Sequence, residues 1–197
     1  MRRFAVALAI IYAAASAGQA ASSWEIDPAH TSAQFAVKHL MVSTVRGTMG
    51  TIAGTAVFDE ADVSKSSVHA TIDVTGIDTR EAKRDAHLKS PDFLDAATFP
   101  TITFRSKKVE SVAADKFKIT GDLTMRGVTK EIALDVEGTP KPLSDPFGKV
   151  RMGGSARTRF NRQDFGVNFS KTMDNGGLVV GNDVDVTIDI ELVKKGQ

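Results

Sequence analysis

The chain has 197 residues, with 25 Lys and Arg against 24 Asp and Glu. This near balance provides no basic field that would attract nucleic acid or an acidic membrane surface. Cysteine is absent, which excludes disulfides, a thiol nucleophile and thiolate metal sites.

The first twenty residues have the layout of a secretory signal peptide. Arg2 and Arg3 precede an apolar run over residues 4–17, and Gly18 and Ala20 place small side chains before a cleavage point after Ala20. The run is shorter than the roughly 20 residues that a membrane-spanning helix needs, so we expect no integral membrane anchor. The sequence predicts a signal peptide at 1–20, one mature domain at 21–197 and a periplasmic location.

Strand patterns dominate the predicted mature chain. Apolar and polar residues alternate with a period of two, which is typical of strands with one buried face. In chain order the pattern covers residues 33–39, 45–58, 68–74, 102–104, 117–125, 132–136, 152–160 and 184–192. Closing such a sheet on itself buries the apolar face and removes free edges. The predicted fold class is therefore all-β, a closed antiparallel barrel of about eight strands.

One segment between the strands breaks this pattern. Residues 78–90 predict a helix capped by Asp78. Ser90 and Pro91 predict the start of a second short helix. A proline-rich stretch at 140–146 predicts a loop. We therefore expect one or two short helices beside the barrel.

The interior of the barrel is the candidate binding region. A barrel of about eight strands is either filled by its own side chains or just wide enough for one small ligand. The predicted lining consists of apolar residues on the inward faces, namely Phe35, Val37, Ala70, Ile72, Phe104, Leu123, Met125 and Phe160. Loops and the helix could instead plug the interior, and the residues alone leave both interpretations open.

Four polar residues are candidates for the rim of such a cavity. His39 falls on the apolar face of its strand, where an imidazole needs a hydrogen-bonding partner. Arg84, Asp85 and His87 form the densest charged cluster. These side chains are predicted to contact the polar head group of a ligand. The alternatives are a hydrogen bond between His39 and a neighbouring carboxylate and, for the cluster, a solvated helix face or a structural role in which Arg84 ties the helix to the barrel.

No pattern in the sequence indicates a metal, a cofactor or a catalytic residue. Zinc sites need three or four converging ligands, and the four histidines show no such spacing. No serine lies in a nucleophile elbow and no glycine loop fits phosphate binding.

Several segments carry a resemblance to a known family. They are residues 24–31 (WEIDPAHT), 35–40 (FAVKHL), 84–95 (RDAHLKSPDFLD), 99–104 (FPTITF), 121–130 (GDLTMRGVTK) and 162–166 (RQDFG). On these segments, which span nearly the whole predicted mature chain in order, the sequence resembles the YceI family of lipocalin-like polyisoprenoid-binding proteins. Met49 and Leu94 stand where that family commonly has aromatic residues, which keeps the site apolar but reduces its ring area.

The resemblance implies a lipocalin-like barrel that holds an isoprenoid-type lipid, either polyprenyl or quinone-like, in the bacterial periplasm. It also implies a homodimer. The predicted function is a lipid-binding or carrier protein with a stress-related role, and not an enzyme. Two alternatives stay open: a hydrolase or isomerase that acts on a bound lipid with His39 or His87 as base, and a filled-barrel stress protein without a ligand.

Overall fold

A computed structural model describes residues 21–174 and 176–196, so the predicted signal peptide lies outside the described residues. The strands are β1 (Ser22–Ile26), β2 (Ser32–His39), β3 (Ser43–Thr48), β4 (Ile52–Phe58), β5 (Ser67–Asp73), β6 (Thr101–Ala113), β7 (Lys116–Met125), β8 (Val128–Ser144), β9 (Val150–Asn161) and β10 (Val180–Lys194). The helix α1 spans Ala82–Lys89, and 3₁₀ turns span Val63–Lys65 and Arg162–Phe165. Within these described ranges, no helix is both long and apolar enough to cross a bilayer.

The sheet closes into an antiparallel barrel. Neighbouring strands follow the order β1-β4-β5-β6-β7-β8-β9-β10, and β10 returns to β1. Strands β2 and β1 pair in succession along the same edge of β10, while β3 pairs with β2 as β4 pairs with β1. Strands β1 and β2 therefore act together as one long, bent strand, and so do β3 and β4. Counted in this way, eight strands surround the barrel axis. The predicted all-β closed barrel is confirmed.

The bend between β3 and β4 interrupts the single strand predicted over residues 45–58. Gly50 lies at this bend, and its amide donates to the carbonyl of Asp73 at 3.0 Å. A Cβ on Gly50 would lie 2.7 Å from that carbonyl oxygen. The close approach of the two backbones therefore requires glycine here.

The two ends of the barrel differ. At one end β2 stops at His39 beside the first residue of β10, and residues 74–100, with α1, leave β5 and return to β6. We call this the α1 end. At the other end, called the hairpin end, residues 145–149 join β8 to β9. Buried side chains of the segment 74–100, including Val74, Ile77 and Phe93, pack into the apolar cluster inside the barrel.

Helix α1 is shorter than predicted. It starts at Ala82 instead of Asp78, and its N-cap is Glu81, whose carboxylate accepts hydrogen bonds from the amides of the first turn at 3.1 and 2.6 Å. Arg80 has a φ of 63°, a left-handed conformation that cannot continue an α-helix. The Asp78 side chain instead accepts from the amide of Arg80 at 2.7 Å.

The second helix predicted after Ser90 is wrong. Residues 91–94 form turns, because the amides of Phe93 and Asp95 both donate to the carbonyl of Ser90, at 3.0 and 2.9 Å. Ser90 itself ends α1, where its hydroxyl donates to the carbonyl of His87 at 2.8 Å.

Strand β8 is irregular at both ends. The loop predicted at 140–146 is wrong for residues 140–144, because β8 continues to Ser144 through a register shift between Thr139 and Leu143, a place where prolines without an N–H are tolerated. Pro146 does lie in a turn, within residues 145–149. At the α1 end, the ladder with β9 begins only at Asp135. The 3₁₀ turn after β9 covers the resulting seam with Phe165, which is 1% exposed.

Candidate functional site

The barrel is hollow. It contains a cavity of about 610 Å³, which falls within the roughly 300–1,000 Å³ of small-molecule sites. All ten strands contribute inward-facing residues to its wall, as the period of two requires. The sequence left open whether side chains fill the interior, and the structure shows that they leave space.

The wall contains all eight apolar residues predicted to line the cavity. Phe35, Phe104, Leu123 and Met125 are buried. The remaining four, which are Val37, Ala70, Ile72 and Phe160, are half-buried because they face the open space. Their contact with a ligand stays a prediction.

Sequence reasoning missed other parts of the wall. The inward faces of β8 and β10 were recognised as apolar but not assigned to the lining, and they contribute Ile132, Leu134, Val136, Val184, Val186 and Ile188. Phe93, Val167 and Phe169 reach the wall from irregular segments. No periodic pattern marks residues of that kind, so only the folded chain reveals them.

His87 belongs to an aromatic group at the α1 end. The rings of His87, Phe93 and Phe169 have centroids 4.9 Å apart in each pair, and all three rings line the cavity. The Nε2 atom of His87 lies 2.9 Å from a carboxylate oxygen of Asp92. This partner, which is exposed, holds the imidazole in place at the mouth of the cavity.

Arg84 and Asp85 are joined through the buried Thr79. The Thr79 amide and hydroxyl donate to the Asp85 carboxylate at 2.8 and 2.5 Å, and these bonds lower the pKa of Asp85 below its ordinary value. Arg84 donates through Nε to the same hydroxyl at 2.7 Å and through Nη2 to the Thr79 carbonyl at 2.9 Å. Arg84 lines the cavity, whereas Asp85 lies outside its wall.

His39 lies half-buried on the cavity wall at the end of β2. Among the side chains of residues 21–174 and 176–196, none has a hydrogen bond to its imidazole. The ring is therefore available to a group inside the cavity, and its contact with a ligand head group stays a prediction.

Arg162 belongs to the RQDFG segment that carries the family resemblance, but the sequence assigned it neither to the lining nor to the rim. It is 4% exposed and donates to the carbonyls of Gly181 and Val167 at 2.9 and 2.6 Å and to Oδ1 of Asn182 at 3.2 Å. Burial lowers the pKa of its guanidinium, but arginine remains charged in proteins. The α1 end therefore contains a buried cation whose hydrogen bonds all go to neutral oxygens.

A separate polar cluster at the hairpin end brings three potential metal ligands together, namely Asp27, His30 and Glu191. Arg151 donates to both carboxylates of this cluster, at 2.7 Å to Asp27, and also to Asp145 at 2.7 Å. Because the guanidinium already supplies the positive charge, the cluster is an ion-pair network. It ties the β8–β9 hairpin to the β1–β2 turn and to β10.

This network predicts an acid-sensitive contribution to stability. The Arg151 guanidinium holds the pKa of Asp27 and of Asp145 below their ordinary values. A carboxylate with a depressed folded-state pKa stabilises the fold above its unfolded pKa of about 3.9 and loses that contribution as the pH falls from there toward the folded-state pKa. We expect Arg151→Met to lower the free energy of unfolding at pH 7. We also expect this free energy to fall less steeply with decreasing pH in the variant than in the wild-type protein.

Urea unfolding between neutral pH and about pH 3, followed by the fluorescence of the single, fully buried Trp24, measures the stability at neutral pH and the onset of its loss toward acid. Arg159→Met, which removes an exposed guanidinium from β9, is the matched control. Stability curves of the Arg151 variant that ran parallel to wild type would contradict the assignment.

Comparison with known proteins identifies the family. The profile of the YceI-like domain matches residues 24–192, from β1 to β10. A UPF0312 protein of Vibrio parahaemolyticus is 38% identical over 196 residues, which cover 98% of this chain and 97% of that protein.

Two solved structures share the fold. The Campylobacter jejuni YCEI protein superposes with a TM-score of 0.68 at 31% identity, covering 81% of this chain and 90% of that one. A polyisoprenoid-binding domain from Saccharophagus degradans, implicated in plant cell wall breakdown, superposes with a TM-score of 0.60 at 12% identity, covering 88% and 99%. Because the family profile spans almost the entire barrel and the resemblance seen in the sequence extends over the same residues, the chain belongs to the YceI family.

Proposed function

We propose that this protein binds an isoprenoid-type lipid inside the barrel and carries it through the periplasm after export directed by residues 1–20. The observation that carries this proposal is the hollow, almost wholly apolar interior. The Saccharophagus degradans domain of the same fold is described as polyisoprenoid-binding, which supports the choice of ligand.

The size of the cavity sets the length of chain that it can enclose. If each methylene-sized group occupies about the 30 Å³ of a liquid water molecule, then about 610 Å³ holds on the order of 20 such groups. A longer polyprenyl or quinone tail would project from one end of the barrel. Ligands with tails near this length are therefore expected to fit best.

Energetics favour a carrier that exchanges its ligand with membranes. Moving a methylene from water to an apolar site gains roughly 0.8 kcal/mol. Moving it from a bilayer gains little, because lipid tails are as apolar as the cavity wall. The barrel therefore keeps a lipid soluble between membranes without holding it irreversibly.

The arrangement of polar groups gives no support to an enzyme. His39 and His87 lie at the α1 end, whereas the serines of the wall, Ser66 and Ser67, lie at the hairpin end where β5 begins. A nucleophile and its general base must be within hydrogen-bonding distance of each other, and in the described part of the chain neither serine of the cavity wall lies at the end that holds His39 and His87. Binding is therefore the function that the geometry favours.

Organic extraction of the purified protein tests the proposal. Protein isolated from the periplasm of the native host is expected to release an isoprenoid-type lipid that mass spectrometry identifies at close to one molecule per barrel. Extracts without any long-chain apolar molecule would contradict the carrier function. Conversion of an added prenyl lipid, lost in His39→Ala, would support the enzymatic alternative instead.

A further inference from the structure

The charged residues of the cavity wall are all basic. They are Lys38, Arg84, Arg162 and Lys171, and no Asp or Glu of the described chain lines the cavity. The carbonyl of Lys171 accepts from the amide of Val179, whose own carbonyl accepts from Leu40 just after β2. This places the segment with Lys171 at the α1 end, where Arg84 and Arg162 also lie. An apolar cavity therefore has positive charge at one end only.

The positive charge at the α1 end is not neutralised by ion pairs. Arg84 donates to Thr79, and Arg162 donates to backbone carbonyls and an amide oxygen. No carboxylate in the described part of the chain forms a salt bridge with Arg84, Arg162 or Lys171. The carboxylates of Asp85 and Asp92 are nearby, but the first is bonded to Thr79 and the second to His87.

An anion is the ligand group that such a site favours. Cations in an apolar, partly water-excluded environment attract a negative charge more strongly than they do in water. Hydrogen bonds between a guanidinium or ammonium and an anionic oxygen are about twice as strong as neutral ones. A neutral head group would accept hydrogen bonds from Arg84, Lys171 and His39 but would not gain the attraction between opposite charges.

We propose that the ligand is an anionic amphiphile, whose apolar chain lies in the barrel and whose phosphate or carboxylate head group lies at the α1 end. This inference rests on the proposed function and specifies the class of lipid. Arg84 and Lys171 bind the head group, and His39 donates a further hydrogen bond. The positive charge of the buried Arg162 in the cavity wall attracts the same anion at longer range. The aromatic group of His87, Phe93 and Phe169 covers the first part of the chain.

Two probes with the same hydrocarbon chain test this inference, namely geranylgeranyl phosphate and geranylgeraniol. Each competes with the neutral fluorescent dye N-phenylnaphthylamine for delipidated protein at low salt. The phosphate is expected to bind at least about tenfold more tightly, as one or more added charge-assisted hydrogen bonds imply. The double variant Arg84→Gln/Lys171→Gln should lose most of this advantage, because glutamine can still donate hydrogen bonds to either head group but carries no positive charge. Arg159→Gln, which removes an exposed charge outside the cavity, should preserve the advantage.

The outcomes separate the two proposals. Equal affinities for the phosphate and the alcohol would overturn the anionic head group and leave the apolar-chain function standing. Failure of both probes to displace the dye would overturn the proposed function itself. Displacement by inorganic phosphate alone at the same concentration would also overturn the inference, because the anion would then bind without its chain.

Discussion

Replacing Ile119 with Asp is expected to abolish retention of a lipid while the barrel still folds. Ile119 lies on the cavity wall in the middle of β7, between Val109 of β6 and Leu134 of β8. It is half-buried because it faces the cavity, so water can hydrate a carboxylate there when no ligand is bound. An apolar chain would have to remove that water at a cost of several kcal/mol, which corresponds to a loss of affinity of roughly a hundredfold or more.

The matched control for this variant is Phe147→Asp. Phe147 is 89% exposed in the β8–β9 hairpin, so the same new charge lies outside the cavity and should leave the lipid content unchanged. Mass spectrometry of extracted lipid gives the readout, and circular dichroism confirms that both variants are folded. Wild-type lipid content in folded Ile119→Asp protein would show that the chain lies elsewhere.

The strands and their inward faces could be predicted because their signal is local. In β10, Val184, Ile188 and Leu192 alternate with polar residues, and a period of two assigns each to a face before any tertiary contact is known. Closure followed from the cost of leaving an apolar face and free edges in water. The start of α1 was predicted too early because a left-handed residue, Arg80, has no reliable sequence signature when it is not glycine.

The candidate site was predictable only in part. Phe35 and Phe104 lie on strands, so their faces could be assigned from the pattern. Arg162 and Phe169 lie on a 3₁₀ turn and in an irregular segment, where spacing along the sequence does not indicate direction. Whether the barrel is hollow depends on how far residues 74–100 and 162–171 enter it, which is a property of the packed chain.

The seam between β8 and β9 links the barrel wall to this irregular region. Because residues 128–134 of β8 have no ladder with β9, closure at the α1 end depends on the turn that contains Phe165. The ring of Phe165 packs against Phe160 with centroids 5.2 Å apart, and the guanidinium of Arg126 donates to the Gly166 carbonyl and to that of Pro91. Side chains thus replace strand pairing at this point.

Arg162 supports the same region from inside, and Arg162→Met is expected to destabilise the fold by about 3 kcal/mol or more. The variant keeps a long apolar side chain but leaves the carbonyls of Gly181 and Val167 and the Asn182 side chain without their donor. Each buried acceptor left unpaired costs roughly 1–3 kcal/mol. For a domain of this size, a loss of about 3 kcal/mol lowers Tm by roughly 6–12 °C.

Calorimetric unfolding of delipidated protein measures this shift, because a bound lipid would add its own stabilisation. Arg159→Met on β9, just before the turn that contains Arg162, provides the comparison, since its guanidinium is 63% exposed and pairs with Asp185 on the outer surface. Exposed ion pairs contribute only about 0–1 kcal/mol, so this variant should unfold close to wild type. Equal shifts in the two variants would mean that the buried hydrogen bonds of Arg162 contribute no more than a surface contact. A large shift in Arg162→Met alone would show that one buried cation, bonded to the start of β10 and to Val167 after the 3₁₀ turn, holds the α1 end of the barrel together.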